Sequence, residues 1–294
     1  MNLLHEYKNG NCRVQIFDDG TKIRETDDDV FKPTSPESMD VKITNRCSLE
    51  NHCKWCHEGS TKDGEHANMV GLLSVFDGLS SGVEIAIGGG NPLAYPSIIM
   101  FLIELRYRGL IANITVNELH LPEYAGMIKH LVSERLIHGI GITYLGTYPK
   151  ERAELDSLSS NVVYHFIAGV HNVDDILKVR KALVLGYKRI RKGEGFFSDK
   201  VMENLYQWYT KIPMCFGKVS VSFDNLALKQ LNIKRFLDDN TWNQFYMGDD
   251  GQFTFYIDGV KREYAASSVS PDRYPIGKRT AIEMFQEVVN NGNK

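Results

Sequence analysis

Three of the chain's five cysteines and two of its nine histidines fall within eleven residues, CSLENHCKWCH, from Cys47 to His57. Two signatures overlap there. Cys53-Lys54-Trp55-Cys56-His57 has the C-x-x-C-H spacing that tethers haem covalently. Cys47, Cys53 and Cys56 together offer three thiolates to a metal ion or an iron–sulfur cluster.

Spacing separates these readings only in part. A structural zinc site closes at four ligands, usually through two C-x2-4-C knuckles or one knuckle and a paired histidine motif. Here there is one knuckle and a singleton; Cys12 and Cys215 stand alone, and a fourth ligand would have to be His57 or His66. Thiolates suit zinc and iron–sulfur clusters alike, so the residues by themselves leave both open. No G-x4-G-K-[ST] or G-x-G-x-x-G occurs, which leaves a nucleotide P-loop or a Rossmann dinucleotide site unsupported.

The cysteines follow directly on a strand-like segment, and a strand–helix alternation continues from there. Strands are expected at Asp40–Thr44, Val83–Ile87, Ala112–Val116, Gly139–Tyr144, Val162–Val170, Lys188–Arg191 and Val219–Phe223. Helices are expected at Met69–Ser80, Ser97–Tyr107 closed by Gly109, Tyr124–Leu136, Glu151–Leu158, Val173–Leu185 and Asp199–Lys211. Six or seven such units require crossover connections and hence a parallel sheet. Cys47, Gly89, Asn117 and Gly146 each follow an expected strand, which in a β/α barrel gathers them on one face. The expected fold is therefore α/β, a partial (β/α)6-type TIM-like barrel over residues 39–235.

Residues 1–38 read as a short hairpin and linker: CRVQIF and TKIRET flank Asp18-Asp19-Gly20, a D-G turn signal. Residues 236–294 read as a small α+β extension packed on the barrel. In it Trp242–Met247 and Gln252–Ile257 would pair across Gly248–Gly251, and Lys278–Val289 would form a helix.

A length of 294 residues and 43% hydrophobic content suit one large packed domain. The net charge of −3 argues against general nucleic-acid binding. No apolar run approaches the roughly 20 residues of a membrane span. The first residues, MNLLHEYKNGNCRVQ, have neither a basic nor an apolar signal region, so a cytoplasmic location is expected. Reduced thiols there favour metal binding over disulfides and weaken the haem reading.

The segment VKITNRCSLENHCKWC resembles the radical S-adenosylmethionine (radical SAM) superfamily, in which a first strand runs into C-x3-C-x-Φ-C with Φ aromatic. Trp55 stands at Φ. Five residues, not three, separate Cys47 from Cys53, a longer spacing found in a minority of the superfamily. Gly89-Gly90-Asn91-Pro92, which follows Gly88, is similar to the G-G-E-P that often ends the second strand, with Asn91 in place of Glu. Thr115-Val116-Asn117 is similar to the third-strand T-N-G, and Gly141–Tyr144 to a strand whose hydroxyl residue, here Thr143, often contacts SAM. The resemblance spans about residues 39–225.

It implies that Cys47, Cys53 and Cys56 hold a [4Fe–4S] cluster, and that Trp55, Gly88, Gly89, Gly90, Asn91, Pro92, Asn117 and Thr143 contribute to the SAM site. It implies an enzyme that reductively cleaves SAM to a 5′-deoxyadenosyl radical. That radical takes hydrogen from an unidentified substrate, a peptide or protein side chain or a nucleotide. An electron donor such as flavodoxin or ferredoxin is implied as partner. The alternative from another class is a zinc-stabilised binding module without catalysis.

Other residues carry two readings each. His52 and His57 flank the cysteines as tuning groups or as plain polar loop residues; Glu58, Ser60 and Thr61 follow as possible contacts to SAM or substrate. In the basic run Tyr187–Lys192, Arg189 and Arg191 share one face of the expected strand. They would bind an anion such as the SAM carboxylate, which makes Arg191 a cofactor candidate, or they form a solvated strand end. His165 and His171 read as core or loop histidines. Asp249 and Asp250 read as turn residues.

Overall fold

A computed structural model describes residues 1–292 of the chain. Thirteen strands are found among them: β1 Leu3–Asn9, β2 Cys12–Phe17, β3 Lys22–Glu25, β4 Ser38–Thr44, β5 Glu84–Gly89, β6 Ile111–Asn117, β7 Gly139–Thr143, β8 Val162–Ile167, β9 Lys181–Leu185, β10 Ser220–Phe223, β11 Thr254–Asp258, β12 Glu263–Ala265 and β13 Tyr274–Pro275. The α-helices are α1 Met69–Leu73, α2 Ile98–Tyr107, α3 Leu121–Ser133, α4 Pro149–Leu158, α5 Lys192–Phe196, α6 Asp199–Lys211, α7 Asn225–Gln230, α8 Asp239–Phe245 and α9 Ala281–Gly292.

Strands β1, β2 and β3 form a small antiparallel sheet. The other ten form one sheet in the order β10-β9-β8-β7-β6-β5-β4-β11-β12-β13. From β10 to β11 every neighbour is parallel. This is the expected α/β architecture, a barrel-like sheet wound by β/α units. It is not closed by hydrogen bonds, since β10 and β13 are its edges. It still curves around one space, because residues of β4–β9 and β11 line a common cavity. Across the seam the Asn225 amide donates to Asp250 Oδ1 at 2.8 Å, tying the chain after β10 to the chain before β11.

The strand sequences explain this placement. In β4, Met39, Val41 and Ile43 are buried on the helix side while Asp40 and Lys42 turn inward, a period of two that a barrel strand requires. On the outside, α6 buries Val201 and Trp208 seven residues apart, with Asp199 in its first turn and Lys211 in its last, as the helix dipole favours. The barrel's outer core is apolar and nearly fully buried, with Phe101, Phe166, Trp208, Tyr264 and Phe285 among its largest members.

Several elements differ from expectation for physical reasons. The N-terminal hairpin is a three-stranded sheet, because Leu3–Asn9 adds to the far edge of β2. Met69–Ser80 is only one α-helical turn or so, α1, followed by a 3₁₀ turn at Ser74–Phe76. The expected helix Val173–Leu185 divides into a 3₁₀ segment, Val173–Lys178, and the strand β9. KALVL is an apolar run that periodicity cannot assign between buried strand and buried helix. With β9 there, Lys188–Arg191 is a connection and not a strand. Trp242–Met247 is not a strand either. Asp238 caps α8 by accepting from Thr241 N–H at 2.9 Å, a helix start overlooked in the sequence. Consequently β11 does not form a hairpin with that segment; it adds in parallel to β4 and turns back through β12.

Candidate functional site

The loop from Asn45 to Asn68, between β4 and α1, carries the three cysteines. Its base is fastened as an irregular strand pair: Asn45 N–H donates to Glu65, Cys47 N–H to Thr61 (2.8 Å) and Thr61 N–H to Asn45. Its tip is a run of tight turns, with Cys53 N–H donating to Leu49 C=O and Cys56 N–H to Cys53 C=O. All three thiols are free and half-buried, and all three face one cavity of about 360 Å³. That volume lies within the range of small-molecule sites.

The thiols have neighbours suited to a polar guest. Asn117 Nδ2 lies 3.5 Å from Cys53 Sγ, and His120 Nε2 lies 3.7 Å from Cys47 Sγ. Burial pushes the Cys53 thiol up to about 12, with Cys56 and Cys47 adding repulsion; burial likewise raises Cys47. Cys47 and Cys53 so placed resist ionisation until a cationic centre neutralises them. Among the described residues no three His, Cys, Asp or Glu side chains converge on the position of a single ion. Three thiols opening into one cavity fit a group that takes each thiolate on a separate metal atom.

The glycines at the end of β5 abut the cysteine loop. A Cβ on Gly90 would stand 2.1 Å from Arg46 O, and one on Gly89 would stand 2.3 Å from Thr44 O. Gly90 N–H donates to Thr44 O and Asn91 N–H to Arg46 O, both at 2.8 Å. Only glycine permits that approach. Gly88 differs: an added Cβ there would meet open space, and the residue lines the cavity.

The structure gathers Cys47, Cys53, Trp55, Cys56, Gly88, Gly89, Gly90, Asn117 and Thr143 around the cavity. Asn91, Pro92 and Arg191 lie outside its lining. Asn91 is buried and accepts from Leu93 N–H at 3.1 Å, capping a turn that begins at Pro92. Arg191 has a left-handed φ of 51° and donates through Nη1 to His57 C=O at 2.6 Å. Next to it, Lys192 donates to Glu50 C=O (2.9 Å) and Ser60 C=O (3.2 Å). The basic run therefore clamps the cysteine loop from outside, and Lys192 ties Glu50, which lies between Cys47 and Cys53, to Ser60 beyond Cys56. Arg189 instead pairs with Glu194 at 2.9 Å.

Sequence reasoning missed a buried charge network on the cavity wall. Lys42 Nζ lies 2.8 Å from Glu58 Oε2 and 3.5 Å from Asp258 Oδ2. His57 Nε2 lies 3.3 Å from Glu58 Oε1. Burial works to raise the Glu58 carboxyl, but His57 and Lys42 together hold it well below the carboxylate range. Lys188 Nζ donates to Ser268 Oγ at 2.9 Å and lies 3.5 Å from His57 Nε2. The period-two pattern of β4, with a lysine among buried apolar residues, was the available signal for Lys42. Asp258 and Ser268 carried none, because their elements were misassigned or unassigned. On the opposite wall Glu118 is fully buried and accepts from the Leu145, Gly146 and Tyr148 amides and from Arg152, fixing the loop after β7.

No family model matches the chain, and no curated protein sequence does. Among solved structures, the fold is similar to Streptococcus suis SuiB bound to S-adenosylmethionine. The TM-score is 0.58 at 12% identity, over 86% of this chain and 66% of SuiB. SuiB bound to the precursor peptide SuiA gives a TM-score of 0.55 at 12% identity, over 86% and 65%. The chain thus spans about two thirds of SuiB's length, and at this identity the likeness is one of fold. Among the described residues no helix is long and apolar enough to cross a membrane.

Proposed function

We propose that the chain is a radical SAM enzyme whose Cys47, Cys53 and Cys56 hold a [4Fe–4S] cluster. The observation that carries this reading is a coincidence of position. Three free thiols on the loop after β4 and the glycines ending β5 open into the same cavity, at the end of a parallel sheet where β/α folds keep their chemistry. The fold shared with a SAM-bound protein supports it.

When bound, the cluster supplies the one-electron cleavage of SAM that yields methionine and a 5′-deoxyadenosyl radical able to take a substrate hydrogen. The chain's own residues have defined tasks around it. The amides of Gly90 and Asn91 are committed to the cysteine loop, so an ammonium group of SAM would meet carbonyl acceptors along Gly88–Gly90. Trp55, packed edge-on with His171 (6.2 Å) and at a tilt with Phe196 (5.8 Å), offers a flat apolar surface to a base. Asn117 and Thr143 supply hydrogen-bonding groups at the ends of β6 and β7. The clamp from Arg191 and Lys192 keeps the loop carbonyls in place and puts positive charge beside the thiolates. The electron would come from a small carrier such as flavodoxin or ferredoxin. SuiB's complex with a precursor peptide supports a peptide or protein side chain as one class of substrate, and a nucleotide is the other.

The test is anaerobic reconstitution with iron and sulfide. The protein should turn brown, absorb broadly near 400 nm and hold about four irons per chain. With reductant and SAM it should release 5′-deoxyadenosine. Cys47→Ala, Cys53→Ala and Cys56→Ala should each abolish both properties. A colourless protein with one tightly held zinc would overturn the reading. So would full activity in Cys47→Ala.

A further inference from the structure

The lower end of the cavity lies away from the cysteines and has a character of its own. Asp40 is the third residue of β4, four positions before Thr44, so it sits roughly 13 Å down the strand from the cysteine loop. Asp40 lines the cavity, and its side chain is accessible there. Among the described residues no hydrogen-bond donor or cation pairs with its carboxylate. Its cross-strand neighbours are Ala86 on β5, which adds only a methyl group, and Tyr256 on β11. Both line the same space.

His165, four strands away on β8, also faces this space. It is 8% exposed, and its ring nitrogens make no hydrogen bond among the described residues. A buried polar ring without a partner, aimed into a cavity, is a group kept for a ligand. Lys188 is the cation whose charge acts on both Asp40 and His165, and its Nζ donates to Ser268 Oγ. Below, the N-terminal sheet shuts the barrel: Lys22 pairs with Glu84 at 2.6 Å and Lys181 donates to Asp19 C=O at 2.7 Å. Asp40 and the cysteines line one continuous cavity, so a ligand seated near the cysteines can extend a side chain to Asp40.

A carboxylate that lines a cavity and has no partner on the protein is placed to receive one from a ligand. We propose that the lower cavity is a cation site, in which Asp40, with Tyr256 and His165 lining the approach, receives the ammonium or guanidinium group of the substrate. The assignment rests on the radical SAM reading only for calling that ligand the substrate. Burial raises the Asp40 carboxyl, and Lys188 opposes this while Asp224, Asp250 and Glu58 add to it, so a cationic guest improves its balance. The carrier of the cation is a lysine or arginine side chain of a peptide, or a free alkylamine or alkylguanidine.

The experiment is calorimetric titration of the full chain, reconstituted with cluster and SAM but without reductant, and in parallel without either. The probes are Nα-acetyl-lysine methylamide, Nα-acetyl-arginine methylamide, n-pentylamine and the neutral isostere Nα-acetyl-norleucine methylamide. At least one cationic probe should bind tenfold or more tightly than the norleucine probe, and Asp40→Asn should reduce that preference to less than twofold. A preference for the acetylated probes assigns a peptide side chain; a preference for pentylamine assigns a free amine. Asp40→Asn should keep wild-type iron content and SAM affinity, and should melt no lower than the wild type. Equal binding of the norleucine probe, binding of none of the cations, or an undiminished preference in Asp40→Asn overturns the cation site. The wild-type comparison decides the matter even if the variant is unstable. Failure to load iron or bind SAM, with the cation preference intact, would count against the radical SAM reading alone.

Discussion

The two ends of the barrel are built by different means. At the lower end, the N-terminal sheet packs Val14 and Ile16 against Ile111 and buries the ion pairs Arg24–Glu37 and Lys22–Glu84. At the upper end, the cysteine loop adds polar fastenings to the packing of Leu49 and Trp55. It is held by backbone hydrogen bonds, by two glycines pressed against it and by cations that donate to its carbonyls. Apolar packing gives a firm closure that needs no ligand. Hydrogen-bonded loops pressed against glycines place thiols accurately, but they leave charge and strain, as at Arg191, that a bound group can use. Apolar closure thus lies at one end and the candidate site at the other.

The contrast can be broken first where it is tightest. Gly90→Ala puts a methyl group 2.1 Å from Arg46 O, so the variant should lose nearly all iron loading and SAM binding. Near-normal loading would show that the glycine contact does not set the loop. At the other end Ile16→Ala should cost about 2–4 kcal/mol in denaturant unfolding while iron per chain stays unchanged in the folded protein.

Acid should act broadly across the barrel wall. Burial lowers both His165 and His171 from 6.5 to about 4, and His171 Nδ1 accepts the Ile167 N–H at 2.7 Å. A histidine with a depressed folded pKa contributes stability that is fully present above the unfolded value and lost as pH falls through the folded one. The unfolding midpoint should therefore be flat above pH 6.5 and fall steadily towards pH 4. A midpoint that rises over that interval would contradict the buried neutral state. The smallest effect belongs to the clamp. Lys192→Met should cost only about 1–2 kcal/mol, yet speed iron loss to a chelator several-fold at unchanged fold.

Much of the candidate site's lining was legible because the residues that carry it are local in sequence. Cys47, Cys53, Trp55, Cys56 and Gly88–Gly90 lie within two short loops, each following a strand whose alternation is plain. What could not be read was long-range. Arg191 looked like a ligand on a strand because KALVL, the actual strand, has the apolar density of a helix. Its true partner, the His57 carbonyl, is 134 residues distant. The parallel addition of β11 to β4 depends on a non-local pairing that no local pattern encodes, and with it went Tyr256, Asp258 and the lower cavity. Asp40 stood in view on β4, but its lack of a partner is a property of the folded interior only.

The most direct test of the central claim is the electron paramagnetic resonance spectrum of the reduced, reconstituted protein with and without SAM. Cluster and cofactor should share the upper cavity, so the protein should show a reduced [4Fe–4S] signal that SAM shifts in wild type and Asp40→Asn alike. The absence of any iron–sulfur signal, or a signal indifferent to SAM, would contradict the account.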